Sequence, residues 1–128
     1  MNEAELKSRT KQFALRAIRL VDALPRKVSA EVLGKQLIRS ASSVGANYRS
    51  ACRAKSSPDF ISKLSIVEEE ADESEYWLEL IQEAELMKHT LVDPLRTEAH
   101  EITAIFTASI KTARRNTQST RSNPKSKI

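Results

Sequence analysis

Carboxylates in two short clusters are the residues of this chain whose types and spacing could do chemistry. "EEADE", Glu69 to Glu73, has the form Glu-Glu-x-x-Glu, and "EAHE", Glu98 to Glu101, repeats a Glu-x-x-Glu spacing further on. On facing helices, oxygens in this pattern can converge on a hard cation such as Mg²⁺ and serve phosphoryl chemistry. The histidines offer less. A di-metal bundle site needs Glu-x-x-His on two helices, but Leu86 precedes His89 by three residues and Thr97 precedes His100. Both histidines therefore read as surface residues, His89 in a loop. Cys52 lies beside an apolar stripe near Arg49 and Arg53, which could lower its pKa. With no histidine partner it reads as a small buried hydrophobe. The serines of "SASS" lack any nucleophile-elbow context.

The carboxylate pattern defines one alternative, a Mg-dependent nucleotide pyrophosphohydrolase of the all-α class acting through Glu69, Glu70, Glu73, Glu98 and Glu101. The second cluster departs from that class, with Glu where Asp is expected and no following Lys or Asn motif to grip a phosphate. In a stretch this acidic the first match arises easily by chance.

Four helices must position these groups. Leu6, Thr10, Phe13, Ala17, Leu20 and Leu24 recur by threes and fours and Pro25 ends the run. A second helix is expected from an N-cap at Ser29 to about Lys55, with Leu33, Leu37, Ser40, Val44, Tyr48 and Ala51 inward. Its middle, "SASSVGAN", is so rich in small residues that a helix there implies close approach of a neighbouring backbone. Asn47, beside that face, is expected to set register or bond a partner helix. "SSPD" reads as a third start, with Ser57 as N-cap, Pro58 at the first helical position and Asp59 against the positive helix end. Phe60, Leu64, Val67, Ala71, Ser74, Leu78 and Ile81 follow in a four-three alternation, and this helix is expected to reach about Lys88. Asp93 and Pro94 repeat the start signal before Leu95, Ala99, Ile102, Phe106, Ser109 and Ala113. The fold expected is an all-α, antiparallel up-down-up-down four-helix bundle over residues 1–114. Residues 115–128 carry basic residues and no acid, and are expected to form a disordered basic tail.

Charge divides by helix. Between Asp59 and Glu85 there are ten acids against Lys63 alone, although the 128-residue chain has a formal net charge of +4. The second helix carries Lys35, Arg39, Arg49 and Arg53 in one sector opposite Val44. Like charges at i, i+3 and i+4 repel by a few tenths of a kcal/mol per pair. Ile66, Tyr76, Trp77 and Leu80 add apolar surface beside Glu69, Glu73 and Glu83, the mixture expected of a buried contact with a polar rim. These seven residues are the expected subunit interface of a heterologous, ring-forming homo-oligomer. The stripe of a neighbouring copy is its expected complement. Lys35, Arg39, Arg49 and Arg53, with Arg114 and Arg115, are candidate contacts to nucleic acid or an acidic partner. With Cys52 as sole cysteine, no secretory leader and no run of eighteen apolar residues, a cytoplasmic, non-membrane protein is expected. No cofactor is expected.

The stretch from Gly34 to Ala84 resembles the signature region of the four-helix-bundle family first noticed in intervening sequences of bacterial 23S rRNA genes. "QLIRSASSVGAN", Gln36 to Asn47, matches the family's QLxRSAxSIxxN helix, and the F…L…A…S…E…L order follows. The similarity runs from about Phe13 to Ile110. Where many members read Asn-Ile-Ala-Glu-Gly, this chain reads Asn47, Tyr48, Arg49, Ser50 and Ala51, so no role of that Glu-Gly carries over. The resemblance implies a homopentameric ring or barrel without known enzymatic activity. Relatives include basic accessory proteins of diversity-generating retroelements, which implies RNA or DNA and a reverse transcriptase as partners.

Overall fold

The computed structural model describes residues 1–122. It comprises α1 (Glu3–Asp22), α2 (Val28–Cys52), α3 (Ser57–Glu83) and α4 (His89–Ser122). Connections span only residues 23–27, 53–56 and 84–88, so consecutive helices run antiparallel, up, down, up and down. α3 packs along both α2 and α4, α1 packs chiefly on α2 and only sparsely on α4, and α1 and α3 sit on the diagonal.

Local chemistry sets the ends. Asn2 caps α1 by accepting from the Glu5 N–H at 2.8 Å, with the Glu5 side chain closing a capping box. Lys27, not Ser29, is the N-cap of α2, without a side-chain bond. Ser56 caps α3 by accepting from the Asp59 N–H at 3.2 Å, one residue earlier than Ser57. α3 stops at Glu83, short of Lys88, in a Schellman motif: Leu86 N–H reaches the Ile81 carbonyl and Glu85 N–H the Gln82 carbonyl. Glu85 occupies the left-handed region with φ 57. α4 begins at His89, and Pro94 lies inside it. Asp93 is no cap; its Oδ1 accepts from Gln82 Nε2 at 2.6 Å, and Gln82 also bonds the His89 carbonyl. α4 continues through Arg114 and Arg115 to Ser122, so the helix enters the segment expected to be a tail. Residues 123–128 of that tail lie outside the described residues.

Phe13, Leu37, Leu64, Leu78, Ile81, Ile102 and Phe106 fill the core centre, each burial contributing about 1.5–3 kcal/mol. Leu33, Phe60, Ser109 and Ala113, expected inward, are half-buried. The small stretch of α2 does admit a neighbour. A Cβ on Gly45 would meet Thr10 Oγ1 at 3.3 Å and its carbonyl carbon at 3.5 Å, and one on Gly34 would meet Val21 Cγ1 at 2.7 Å. Ser40 and Ser74, both buried, meet across α2 and α3 with hydroxyl oxygens 2.8 Å apart. Every buried side-chain polar atom among the described residues has a partner. No helix among them is long and apolar enough to cross a membrane.

Candidate functional site

The acids of α3 fan around three sides of the helix. Toward α2, Glu70 and Glu73 receive the Arg39 guanidinium, and the Trp77 indole N–H donates to Glu73 at 3.2 Å. Toward α4, Glu79 meets Arg96 at 3.2 Å, Glu75 meets His100 at 3.3 Å, and Glu68 accepts from the Thr107 hydroxyl. Outward, Glu69, Asp72 and Glu83 are exposed and make no ion pair or hydrogen bond through their side chains among the described residues. Tyr76 stands among them, 52% exposed, with its ring edge-on to Trp77 at 5.2 Å between centroids. Ile66 and Leu80 are half-buried along the α2 side. All seven expected interface residues thus lie on α3, with Tyr76 at the crest and Ile66, Glu73, Trp77 and Leu80 on the slope toward α2.

The basic stripe does not act as a unit. Arg39 finds its acids in its own chain, and exposed Lys35 pairs with Glu31 one turn away. Such exposed pairs are worth about 0.2–1 kcal/mol each. Arg49 and Arg53 are exposed and without a partner among the described residues. The antiparallel register set by Ser40 and Ser74 places Arg49 near the start of α3, roughly 15 Å along the axis from Tyr76. Arg114 and Arg115 are exposed on the last turns of α4, at the same end as Arg53. Among the described residues Asn47 bonds no partner helix; its Nδ2 donates to the Ser43 carbonyl at 2.9 Å.

Geometry disperses the carboxylates of the hydrolase alternative. Glu98 and Glu101 are held by Arg9 of α1, with Nε and Nη2 donating to Glu98 at 2.8 and 2.7 Å and Nη2 to Glu101 at 2.7 Å. Glu70 and Glu73 face Arg39, and Glu69 faces outward. No three His, Cys, Asp or Glu side chains among the described residues converge as a cation site. Bonding to Arg9 lowers the Glu98 pKa. Cys52 is half-buried, and burial pushes its thiol up despite the nearby cations, so it is not an activated thiolate. His89 opens α4 rather than lying in a loop, and both histidines are exposed.

Residues 2–108 match the family described as 23S rRNA-intervening sequence protein. The chain belongs to that family. A Bacteroides thetaiotaomicron protein of unknown function, from the S23 ribosomal protein family and known from a crystal structure, is 36% identical to it. Their structures agree with a TM-score of 0.80 over 87% of this chain and 99% of the other. No curated protein matches. Within this member of the family, the Asn47–Ala51 segment contributes to packing: Tyr48 is buried, edge-on to Phe106 at 5.3 Å, and Ala51 is buried beside it.

Three exposed apolar residues escape a reading by helical stripes. Val28 and Val32 on α2 and Leu91 on α4 are exposed apolar side chains, Leu91 at 60%. They sit near helix starts, where a few residues carry too little periodicity to distinguish an inward from an outward face.

Proposed function

We propose that this chain is a non-enzymatic accessory scaffold that assembles into a ring of five through the outward face of α3. The observation carrying this reading is the Tyr76–Trp77 pair. A half-exposed aromatic ridge flanked by unpaired Glu69, Asp72 and Glu83 combines an apolar centre with a charged rim, the composition of a subunit contact. A solitary domain would gain nothing from leaving these groups together in water. The number five comes from the family resemblance. The engagement of Glu98, Glu101, Glu70 and Glu73 by arginines supports a scaffold over a hydrolase.

Arg49, Arg53, Arg114 and Arg115 are exposed, make no ion pair among the described residues, and lie toward the bundle end away from that ridge. They are the proposed contacts to RNA or DNA, or to an acidic protein such as a reverse transcriptase. Phosphate backbones are recognised by exposed, unneutralised guanidinium groups of this sort.

Light scattering with circular dichroism tests the assembly. Tyr76→Lys is expected to lower the particle mass to that of the 14.4 kDa single chain while helicity stays unchanged. An oligomer of unaltered mass in that variant refutes the contact face. Calorimetric titration with Mg²⁺ and a nucleotide panel is expected to give no heat of binding, and tight metal-dependent nucleotide binding overturns the scaffold reading.

A further inference from the structure

The basic end of the bundle holds a groove as well as charge. Between the start of α3 and the end of α4 lies a cavity of about 460 Å³. We propose that this groove binds single-stranded nucleic acid, seating an unstacked base against Ile61 while Arg114 engages the adjoining phosphate. This rests on the nucleic-acid reading of the basic end, and it names the form of the strand and the surface that receives its bases.

The register of α3 and α4 builds the groove. Glu68 meets Thr107, so Ile61 and Arg114, each seven residues nearer the bundle end, stand level across the seam. Pro58 and half-buried Ile61 supply apolar surface. Ser65 and Thr117, also on the walls, commit their hydroxyls to carbonyls of their own helices. Ser62 and Gln118 do not: both are exposed, and neither side chain makes a hydrogen bond among the described residues. An apolar wall, a free hydroxyl, a free amide and an unpaired guanidinium therefore share one cavity.

Those groups match the parts of a single strand. A splayed-out base offers a flat face and polar edges beside an anionic phosphate, whereas a duplex hides its base faces within the stack. An acidic side chain would satisfy Arg114 alone. Charge bounds the path of the strand. α4 carries no acid after Glu101, and Asp59 is the only acid of α3 before Glu68. Past Glu68 and Glu69 the seam turns acidic, so the strand enters and leaves by the bundle end, where Arg53 and Arg115 stand.

Fluorescence anisotropy with the full chain tests this, comparing a short oligouridylate strand, an RNA duplex of equal length and a poly-glutamate peptide. The strand is expected to bind tightest, although phosphate attraction by itself favours the more densely charged duplex. Ile61→Ser is expected to weaken strand binding about fivefold and to leave duplex affinity and the salt slope unchanged. Should that variant lose helicity, photo-crosslinking of the wild-type chain to a strand carrying 4-thiouridine supplies a second arm, with crosslinks expected in the peptides that hold Ile61 and Gln118. Equal affinity for the duplex or poly-glutamate, unchanged strand affinity in a fully helical Ile61→Ser, or crosslinks confined to other peptides overturns the groove assignment and leaves the basic end a contact for anions in general. Absence of binding to either nucleic acid at low salt instead defeats the reading beneath it.

Discussion

Arg9 grips Glu98 with two nearly parallel bonds, 2.8 and 2.7 Å long, between helices that otherwise touch little. The fork geometry is the strong form of the arginine–carboxylate pair. Both side chains are largely covered, 24% and 15% exposed, so less of the attraction is lost to solvent than at the surface.

Arg9→Ala is therefore expected to destabilise the fold by about 1.5–3 kcal/mol, as for loss of hydrogen bonds to a charged group. Arg39→Ala, in an exposed pair, should cost about 0.2–1 kcal/mol. Urea denaturation of both variants checks the ratio, and equal losses would contradict the clamp.

Acid should act through the same pair. Arg9 holds the folded Glu98 pKa below its ordinary value, so the folded state binds its proton less readily than the unfolded chain. The contribution is complete above the ordinary carboxylate range and is lost as pH falls below about 4. Glu98→Gln should flatten part of the stability slope between about pH 5 and 3, as measured by denaturant midpoints at each pH.

Glu85 holds a left-handed conformation at the end of α3 that costs a side-chain-bearing residue about 1–2 kcal/mol. Glu85→Gly is expected to raise stability by about 0.5–1 kcal/mol after the added flexibility of the unfolded chain is counted. Thermal melting reads this directly; a lowered midpoint rejects the strain argument.

Gly45 lies where the α1 backbone comes closest to α2. Gly45→Val should push the two helices apart and cost about 1–3 kcal/mol, despite adding a better helix former. Unchanged stability in denaturant would mean that the seam yields freely.

At the basic end, Arg114→Ala with Arg115→Ala should weaken binding to a generic RNA and reduce the slope of log affinity against log salt by about one unit for each phosphate contact removed. Fluorescence anisotropy across a salt series measures it. An unaltered slope removes these residues from the contact.

The core was legible in the sequence because burial repeats: Phe13, Val44, Leu78 and Ile102 each fall on a stripe spaced by threes and fours, and each is buried. Helix ends were less so. Asp93 and Pro94 imitate a helix start, yet α4 begins one turn earlier, with Asp93 committed to Gln82. The end of α3 carries no glycine to announce its left-handed stop at Glu85. Contacts between distant residues left no trace in spacing. Arg39 lies 31 residues from Glu70, and Arg9 lies 89 from Glu98. Nothing local distinguishes a guanidinium with a partner across a seam from one facing water.

The short connections between the helices have a kinetic consequence. With only a few residues in each turn, nearly every packed pair joins helices adjacent in the chain, and α3 meets its two large partners immediately before and after itself. Little loop entropy must be surrendered before contacts form, so the single chain should acquire its fold in microseconds to milliseconds. A slower refolding phase that quickens with protein concentration would report encounters between separate molecules, whereas proline isomerisation in the unfolded chain keeps the same rate at every concentration.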